Sequence, residues 1–326
     1  MSTLKNYLSL IKFSHTIFAM PFALIGFFLG LLKSKNAIEV IPGWHNVFSD
    51  AANSNTSLGS VDSLIFQLST GVNPYSAIAK YLLLVLLCMI FARSAAMAFN
   101  RWLDANYDGK NKRTAIREIP SGIIKSKNAL FFTIICSLLF IASAYFINRI
   151  CFFLSPVALL VVLGYSYTKR FTALCHLVLG IGLSLAPIGA YLAVTGKFDL
   201  LPVLFSFTVL FWVSGFDIIY ALQDEDFDKE QQLHSIPAAV GKQKALRISE
   251  WLHVLSAACL VYAGFHGEFG LWYWMGGAVF IGLLIYQHLL VKPTDLSKVN
   301  MAFFTTNGMA SVVVAIFVIM DLFLKK

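Results

Sequence analysis

Two short acidic stretches carry the most chemical information in this chain. The first, Asn100-Arg101-Trp102-Leu103-Asp104-Ala105-Asn106-Tyr107-Asp108, sets Asn100, Asp104 and Asp108 four apart. The second sets Asp224 and Asp228 four apart, with Asp217 seven residues before Asp224. At 3.6 residues per turn, residues four apart stack along one helix face. Like charges so placed repel, and a plain structural helix gains nothing from them. A shared cation gives the spacing a purpose. Mg²⁺ prefers oxygen ligands, and one or two carboxylates plus phosphate oxygens commonly hold it. Asn100, Asp104, Asp108, Asp224 and Asp228 are therefore candidate Mg²⁺ ligands, against the plainer alternative of two solvated helix ends.

Basic residues accompany them. Arg93 lies seven residues before Asn100 and eleven before Asp104, near the same helix face and inside an apolar run. An Arg so placed usually faces the protein interior and has a partner there. That partner is either an Asp or an anionic group such as a diphosphate or an aromatic carboxylate, which a guanidinium can grip through two parallel hydrogen bonds. Tyr165 and Lys169 are four apart. Lys169 could meet a diphosphate as a point charge while Tyr165 donates a hydrogen bond. The same segment, ending Lys169-Arg170, also fits an interfacial Tyr beside a positive-inside pair. Arg113 and Arg117 precede a Pro120-Ser121-Gly122 turn. They could close over a diphosphate or rest on lipid headgroups. Once divalent ions balance the carboxylates, a diphosphate needs basic neighbours, and Arg93, Arg113, Arg117 and Lys169 are the candidates.

The elements that must position these groups are membrane helices. Apolar residues make up 58% of the 326 and charged residues 13%, against about a quarter charged in soluble domains. Stretches such as Tyr81–Phe91 and Val203–Val213 have no polar face, which excludes a soluble helical core. A membrane span needs about 20 apolar residues. Nine candidate spans run near 13–32, 77–99, 128–147, 150–167, 172–194, 200–222, 247–265, 270–290 and 301–323. Lys and Arg concentrate on the N-terminal side of this arrangement, which predicts a cytoplasmic N-terminus and an extracytoplasmic C-terminus. Both acidic stretches then fall on the cytoplasmic side, each directly after a span. Burying the four key Asp at mid-membrane would cost on the order of 10 kcal/mol on insertion scales. They must sit near the boundary, with an apolar cavity beneath.

Other features carry less. The first apolar run follows Lys5 and Lys12 and reads as a retained helix, with no clear cleavage site. Residues 33–76 form a long extracytoplasmic connection rich in Asn, Ser, Gly and Asp, with a short interfacial helix expected near Ser63–Leu68. The whole chain, 1–326, reads as one transmembrane domain. Cys88, Cys136, Cys151, Cys175 and Cys259 are scattered with no CxxC pair, and read as small buried residues. The net charge of +8 suits a rim beside anionic lipid rather than nucleic acid.

These segments together resemble the UbiA family of intramembrane prenyltransferases. That family's NxxxDxxxD and DxxxD pair matches Asn100–Asp108 and Asp224–Asp228, and its YxxxK element matches Tyr165 and Lys169. Arg113-Thr114 and Ile119-Pro120-Ser121-Gly122 resemble its basic loop. The resemblance covers nearly the whole chain apart from 33–76. Within the family, Ser14–Ala23 and Gly215–Asp224 look most like the 4-hydroxybenzoate polyprenyltransferase group and its futalosine-route relatives. The resemblance implies an all-α bundle of nine transmembrane helices, around a central cavity open to the cytoplasmic side and laterally to lipid. It implies Mg²⁺-dependent transfer of a polyprenyl group from its diphosphate to a ring carbon of an aromatic acid, for ubiquinone or menaquinone, in a bacterial inner membrane. Asp104, Asp108, Asp224, Asp228 and Lys169 become catalytic candidates. Arg93, Asn100, Arg113, Arg117, Tyr165, Asp217 and Tyr220 become substrate-binding ones, and Asp217 would take the ring proton or orient the ring.

Three other readings compete. A secondary transporter also carries intramembrane acids, but near the midplane and with inverted repeats; here the acids cluster at one face. A protohaem farnesyltransferase would share the first acidic motif. An idle lipid-binding relative would have less need of Asp at all four key positions.

Overall fold

The computed structural model describes residues 3–11, 19–33 and 74–325. Most of the expected 33–76 connection, the Ser63–Leu68 helix and the start of the Ser14–Ala23 stretch lie outside the described residues. What is described is helical: α1 (Thr3–Leu10), α2 (Met20–Lys33), α3 (Pro74–Leu103), α4 (Ala105–Lys110), α5 (Ser126–Ile147), α6 (Arg149–Thr168) and α7 (Cys175–Thr195), then α8 (Leu200–Ala221), α9 (Glu225–Glu230), α10 (Ile236–Val240), α11 (Lys242–His266), α12 (Leu271–Leu290) and α13 (Asn307–Leu324). Eight described helices are long and apolar enough to cross a membrane, and Met20–Leu32 is a shorter apolar one. The eight match the last eight expected spans, and the short helix falls within the first, 13–32, whose opening residues lie outside the described ones.

With few side chains to compete for hydrogen bonds, these apolar runs satisfy their backbone internally, as hydrocarbon requires. Their ends are closed by specific groups. Asn148 Oδ1 accepts from Cys151 N at 2.9 Å, while its amide donates to Leu192 O at 2.9 Å, which caps α6 and ties it to the end of α7. Gly196, at φ 63°, ends α7 with its N–H on Leu192 O. Asp199 caps α8 through Leu201 N at 2.9 Å. The first turn of α12 is capped from a distance: Asp321 on α13 accepts from Gly270 N at 2.8 Å and Tyr273 N at 3.2 Å.

The helices are not equally embedded. α8 packs against both α7 and α11, and its Phe205, Val209, Trp212 and Val213 are fully buried. Close approach of α2 to α7 requires glycine at position 26, where a Cβ would lie 2.0 Å from Pro187 O; small residues let membrane helices meet this way. Between α12 and α13 a π-helical turn spans Met301–Thr306. Asn307 satisfies its loosened carbonyls, donating to Ala302 O at 3.2 Å and Phe303 O at 3.0 Å. The same side chain accepts from Trp212 Nε1 at 2.9 Å and Gln287 Nε2 at 2.6 Å.

Candidate active site

At 30 residues, α3 is about 45 Å long, well beyond a hydrocarbon core of about 30 Å. Its last turns therefore project into the interface and carry the first acidic motif there. The helical path continues through Asp104 into α4: Asp104 N donates to Asn100 O and Asp108 N to Asp104 O, at 2.9 and 2.8 Å. The expected common face holds, and Asn100 Nδ2 donates to Asp104 Oδ2 at 3.0 Å. The second motif is reached through a 3-10 turn, Leu222–Asp224, between α8 and α9. Glu225 turns away to Lys229, 2.6 Å distant.

The two motifs meet. Lys110 Nζ donates to Gln231 Oε1 at 3.1 Å, and Asn111 Nδ2 to Asp224 Oδ1 at 3.4 Å. Two cationic segments then bridge the acids. In the loop after α4, Arg117 binds both oxygens of Asp108 at 2.6 and 2.7 Å. Arg113 binds both oxygens of Asp224 at 2.9 and 2.7 Å. After α6, Lys169 lies 2.6 Å from Asp228, and its neighbour Arg170 lies 3.3 Å from Asp104. Each segment thus touches one carboxylate of each motif. The loop is itself braced, since Glu118 accepts a hydrogen bond from Ser9 on α1.

Electrostatics follow from this packing. Burial and then the neighbouring charge of Asp108 push the Asp104 carboxyl above its ordinary range. Burial works against the charge on Lys169, but Asp228 outweighs it and holds the ammonium above its usual value. Among the described residues, no three His, Cys, Asp or Glu side chains converge closely enough to enclose a metal ion. The donor set nevertheless suits Mg²⁺, which takes one or two carboxylates and completes its shell with phosphate oxygens and water. Four side-chain cations already stand against the four carboxylates, where two divalent ions would carry the same charge.

Beneath the acids lies a cavity of about 390 Å³ between α3, α5, α6 and α7. Its lining is apolar apart from Ser155 and, at the head, Arg93 and Tyr165. From Cys151 to Tyr165, both in the lining, α6 rises about 21 Å. Val157 lines the cavity and remains 57% exposed, so protein does not cover this part of the α6 wall. The buried Nε of Arg93 has no partner, and no carboxylate pairs with this side chain among the described residues. Among the described residues, then, the Asp partner that was one option for Arg93 is not found. Tyr220 accepts from Arg113 Nη1 at 3.0 Å and packs its ring on Phe303, 4.2 Å between centroids.

Two participants carried no assigned role in the sequence reading. Arg170 looked like half of an ordinary interfacial pair, yet it holds Asp104 and donates to Leu103 O at 2.9 Å. His176 binds Asp217 at 2.7 Å. A lone His at the head of an apolar run gives no periodic signal.

Comparisons with known proteins agree with this geometry. The model of the UbiA prenyltransferase family matches residues 64–309. A 4-hydroxybenzoate octaprenyltransferase of Nitrosomonas eutropha is 31% identical over 237 residues, 72% of this chain and 82% of that protein. One of Pseudomonas fluorescens is 30% identical over 245 residues, 75% of this chain and 82% of that protein. Among solved structures, a UbiA homolog from Aeropyrum pernix K1, in apo form, superposes with a TM-score of 0.70 at 24% identity, over 95% of this chain and 98% of that one. A UbiA homolog from Archaeoglobus fulgidus bound to DMAPP and Mg²⁺ superposes with a TM-score of 0.64 at 19% identity, over 97% of this chain and 99% of that one.

Proposed function

This chain belongs to the UbiA prenyltransferase family, and from that premise we propose that it transfers a polyprenyl group from polyprenyl diphosphate to a ring carbon of an aromatic acid. The acceptor is 4-hydroxybenzoate or a dihydroxynaphthoate, and the product a ubiquinone or menaquinone precursor. One observation carries the reading: two acidic helix ends, bridged twice by basic segments, sit above an apolar cavity whose head holds an unpaired Arg93 Nε. The names of the relatives support the aromatic acid as acceptor.

Asn100, Asp104, Asp108, Asp224 and Asp228 would hold Mg²⁺, whose charge eases departure of a diphosphate. Lys169, Arg113, Arg117 and Arg170 then exchange carboxylate partners for diphosphate oxygens, and stabilise the charge that grows there. The apolar cavity takes the prenyl chain and keeps water from the allylic cation. Its uncovered α6 wall lets a long chain extend into lipid. Arg93 takes the acceptor carboxylate, with Tyr165 and Tyr220 flanking the ring. Residues 1–326 act as one transmembrane domain with an extracytoplasmic connection at 33–76. The N-terminus and active face lie in the cytoplasm of a bacterial inner membrane.

The test is direct. Purified protein is incubated with a labelled polyprenyl diphosphate, Mg²⁺ and a panel of aromatic acids. Labelled prenylated acid is expected with one or more hydroxylated acids and none without metal. Transport without product formation, or no product with any acid, would overturn the assignment.

A further inference from the structure

His176 stands at the head of α7, with its side chain almost wholly buried, and its Nδ1 lies 2.7 Å from Asp217 Oδ2. Its other nitrogen, Nε2, faces the backbone N–H of Ile236 at 3.4 Å. A backbone N–H can only donate, so Nε2 accepts and Nδ1 carries the hydrogen that points at Asp217. No other hydrogen bond or ion pair holds Asp217 among the described residues, and 23% of its side chain remains exposed.

Asp217 lies seven residues before Asp224, about 10 Å lower along α8. That depth sets it below the metal-binding acids. The Tyr165 hydroxyl is within electrostatic reach of Asp217, Asp104 and Arg93 together. Ile236 ends a segment already tied to the diphosphate side of the site. Leu233 N donates to Asp228 O at 2.8 Å, His234 N donates to Lys169 O at 2.7 Å, and Ser235 lies beside the Asp228 carboxylate. The segment that fixes Lys169 and Asp228 thus also fixes the ring of His176, and through it Asp217.

We propose that His176 is a positioning residue. It anchors one oxygen of the Asp217 carboxylate so that the other is presented to the acceptor ring as the base for prenyl transfer. This rests on the reading of the chain as an aromatic prenyltransferase. In the step concerned, the bond between the allylic carbon and diphosphate oxygen has broken, and a bond from the ring carbon to that allylic carbon has formed. The ring C–H pair returns to the ring, and the proton passes to the free oxygen of Asp217, then to solvent. Nothing is oxidised or reduced.

The test uses an acceptor carrying deuterium at the ring carbon that is prenylated. It compares the unmodified protein with His176→Leu, His176→Gln and Asp217→Asn. The expectation is a kcat for transfer at least about tenfold lower in His176→Leu. A ring-deuterium isotope effect should emerge where the unmodified protein shows one near unity, and more diphosphate should be lost to prenyl alcohol per acceptor prenylated. His176→Gln, whose amide can still donate, should recover part of each, and Asp217→Asn should show the same isotope effect. Isotope effects near unity in all three variants would overturn the proposal even with reduced kcat, since a structural defect slows turnover without exposing proton loss. Should His176→Leu fail to fold, the glutamine and Asp217→Asn variants decide on the same criterion. Failure of the unmodified protein to prenylate any acid would instead sink the underlying function.

Discussion

Just past α3, Asp104 keeps 27% of its side chain exposed and meets Arg170 at 3.3 Å; on α9, just past α8, Asp228 is wholly buried and meets Lys169 at 2.6 Å. The two acidic ends share a spacing and a place in the site but differ in their mounting. α3 lines the cavity and projects past the membrane core. α8 is the most enclosed of the spanning helices, and a 3-10 turn reorients its end. The contrast continues downward, since seven residues below each motif's first key residue sit opposite charges, Arg93 on α3 and Asp217 on α8. The lesson is a division of labour. Buried Asp228 supplies a fixed frame and part-exposed Asp104 a carboxylate that can change partners as ions arrive, with Asp108 and Asp224 between these extremes.

The sharpest way to break that comparison is to remove one acid from each end. Asp104→Ala and Asp224→Ala should each lower kcat by at least about 10²–10³-fold while the protein still inserts. Chelating Mg²⁺ should stop turnover and adding it back should restore it. Full activity in either variant would contradict the shared-metal reading. Adjacent cations separate the mountings. Lys169→Met strands a buried carboxylate and should cost about 3–5 kcal/mol of stability. Arg170→Met strands one that water can reach and should cost about 1 kcal/mol. Thermal unfolding in detergent reads both, and the reverse order would refute the contrast. Further down α3, Arg93→Ala should raise the acceptor KM by about tenfold, the loss of one charged hydrogen bond, with the diphosphate KM little changed. Equal shifts in both would move Arg93 out of the acceptor site. The smallest effect concerns the wall between the ends. Gly189 lines the cavity with open space where a Cβ would go. Gly189→Leu should fold normally and raise KM for a long-chain diphosphate by less than tenfold, leaving a short-chain one untouched. A uniform change across chain lengths would exclude this cavity as the chain's path.

Much of this was legible beforehand because the membrane enforces simple patterns. Spans such as Ser126–Ile147 and Leu271–Leu290 announce themselves by length and composition. The carboxylates of Asn100–Asp108 align because helical spacing is rigid. Their cation partners were not readable. Nothing in the spacing says that Arg113 crosses to Asp224 while Arg117 turns back to Asp108, since that depends on the path of a short irregular loop. Arg170 and His176 stayed hidden for a related reason: each acts through contacts to distant parts of the chain, and local pattern carries no information about what lies across the bundle. The 3-10 turn at Leu222–Asp224 was equally silent, because Gln223 and its neighbours are ordinary helix residues.

The distant cap that Asp321 provides for α12 has a consequence for how the protein is made. The opening turn of α12 emerges from the ribosome some fifty residues before its carboxylate does, so it enters the bilayer with amide hydrogens unanswered. Only when the closing helix has docked is that turn satisfied. A chain cut just short of Asp321 would lose the last turn of α13 and leave an unsealed joint at α12, a species for cellular proteases to remove.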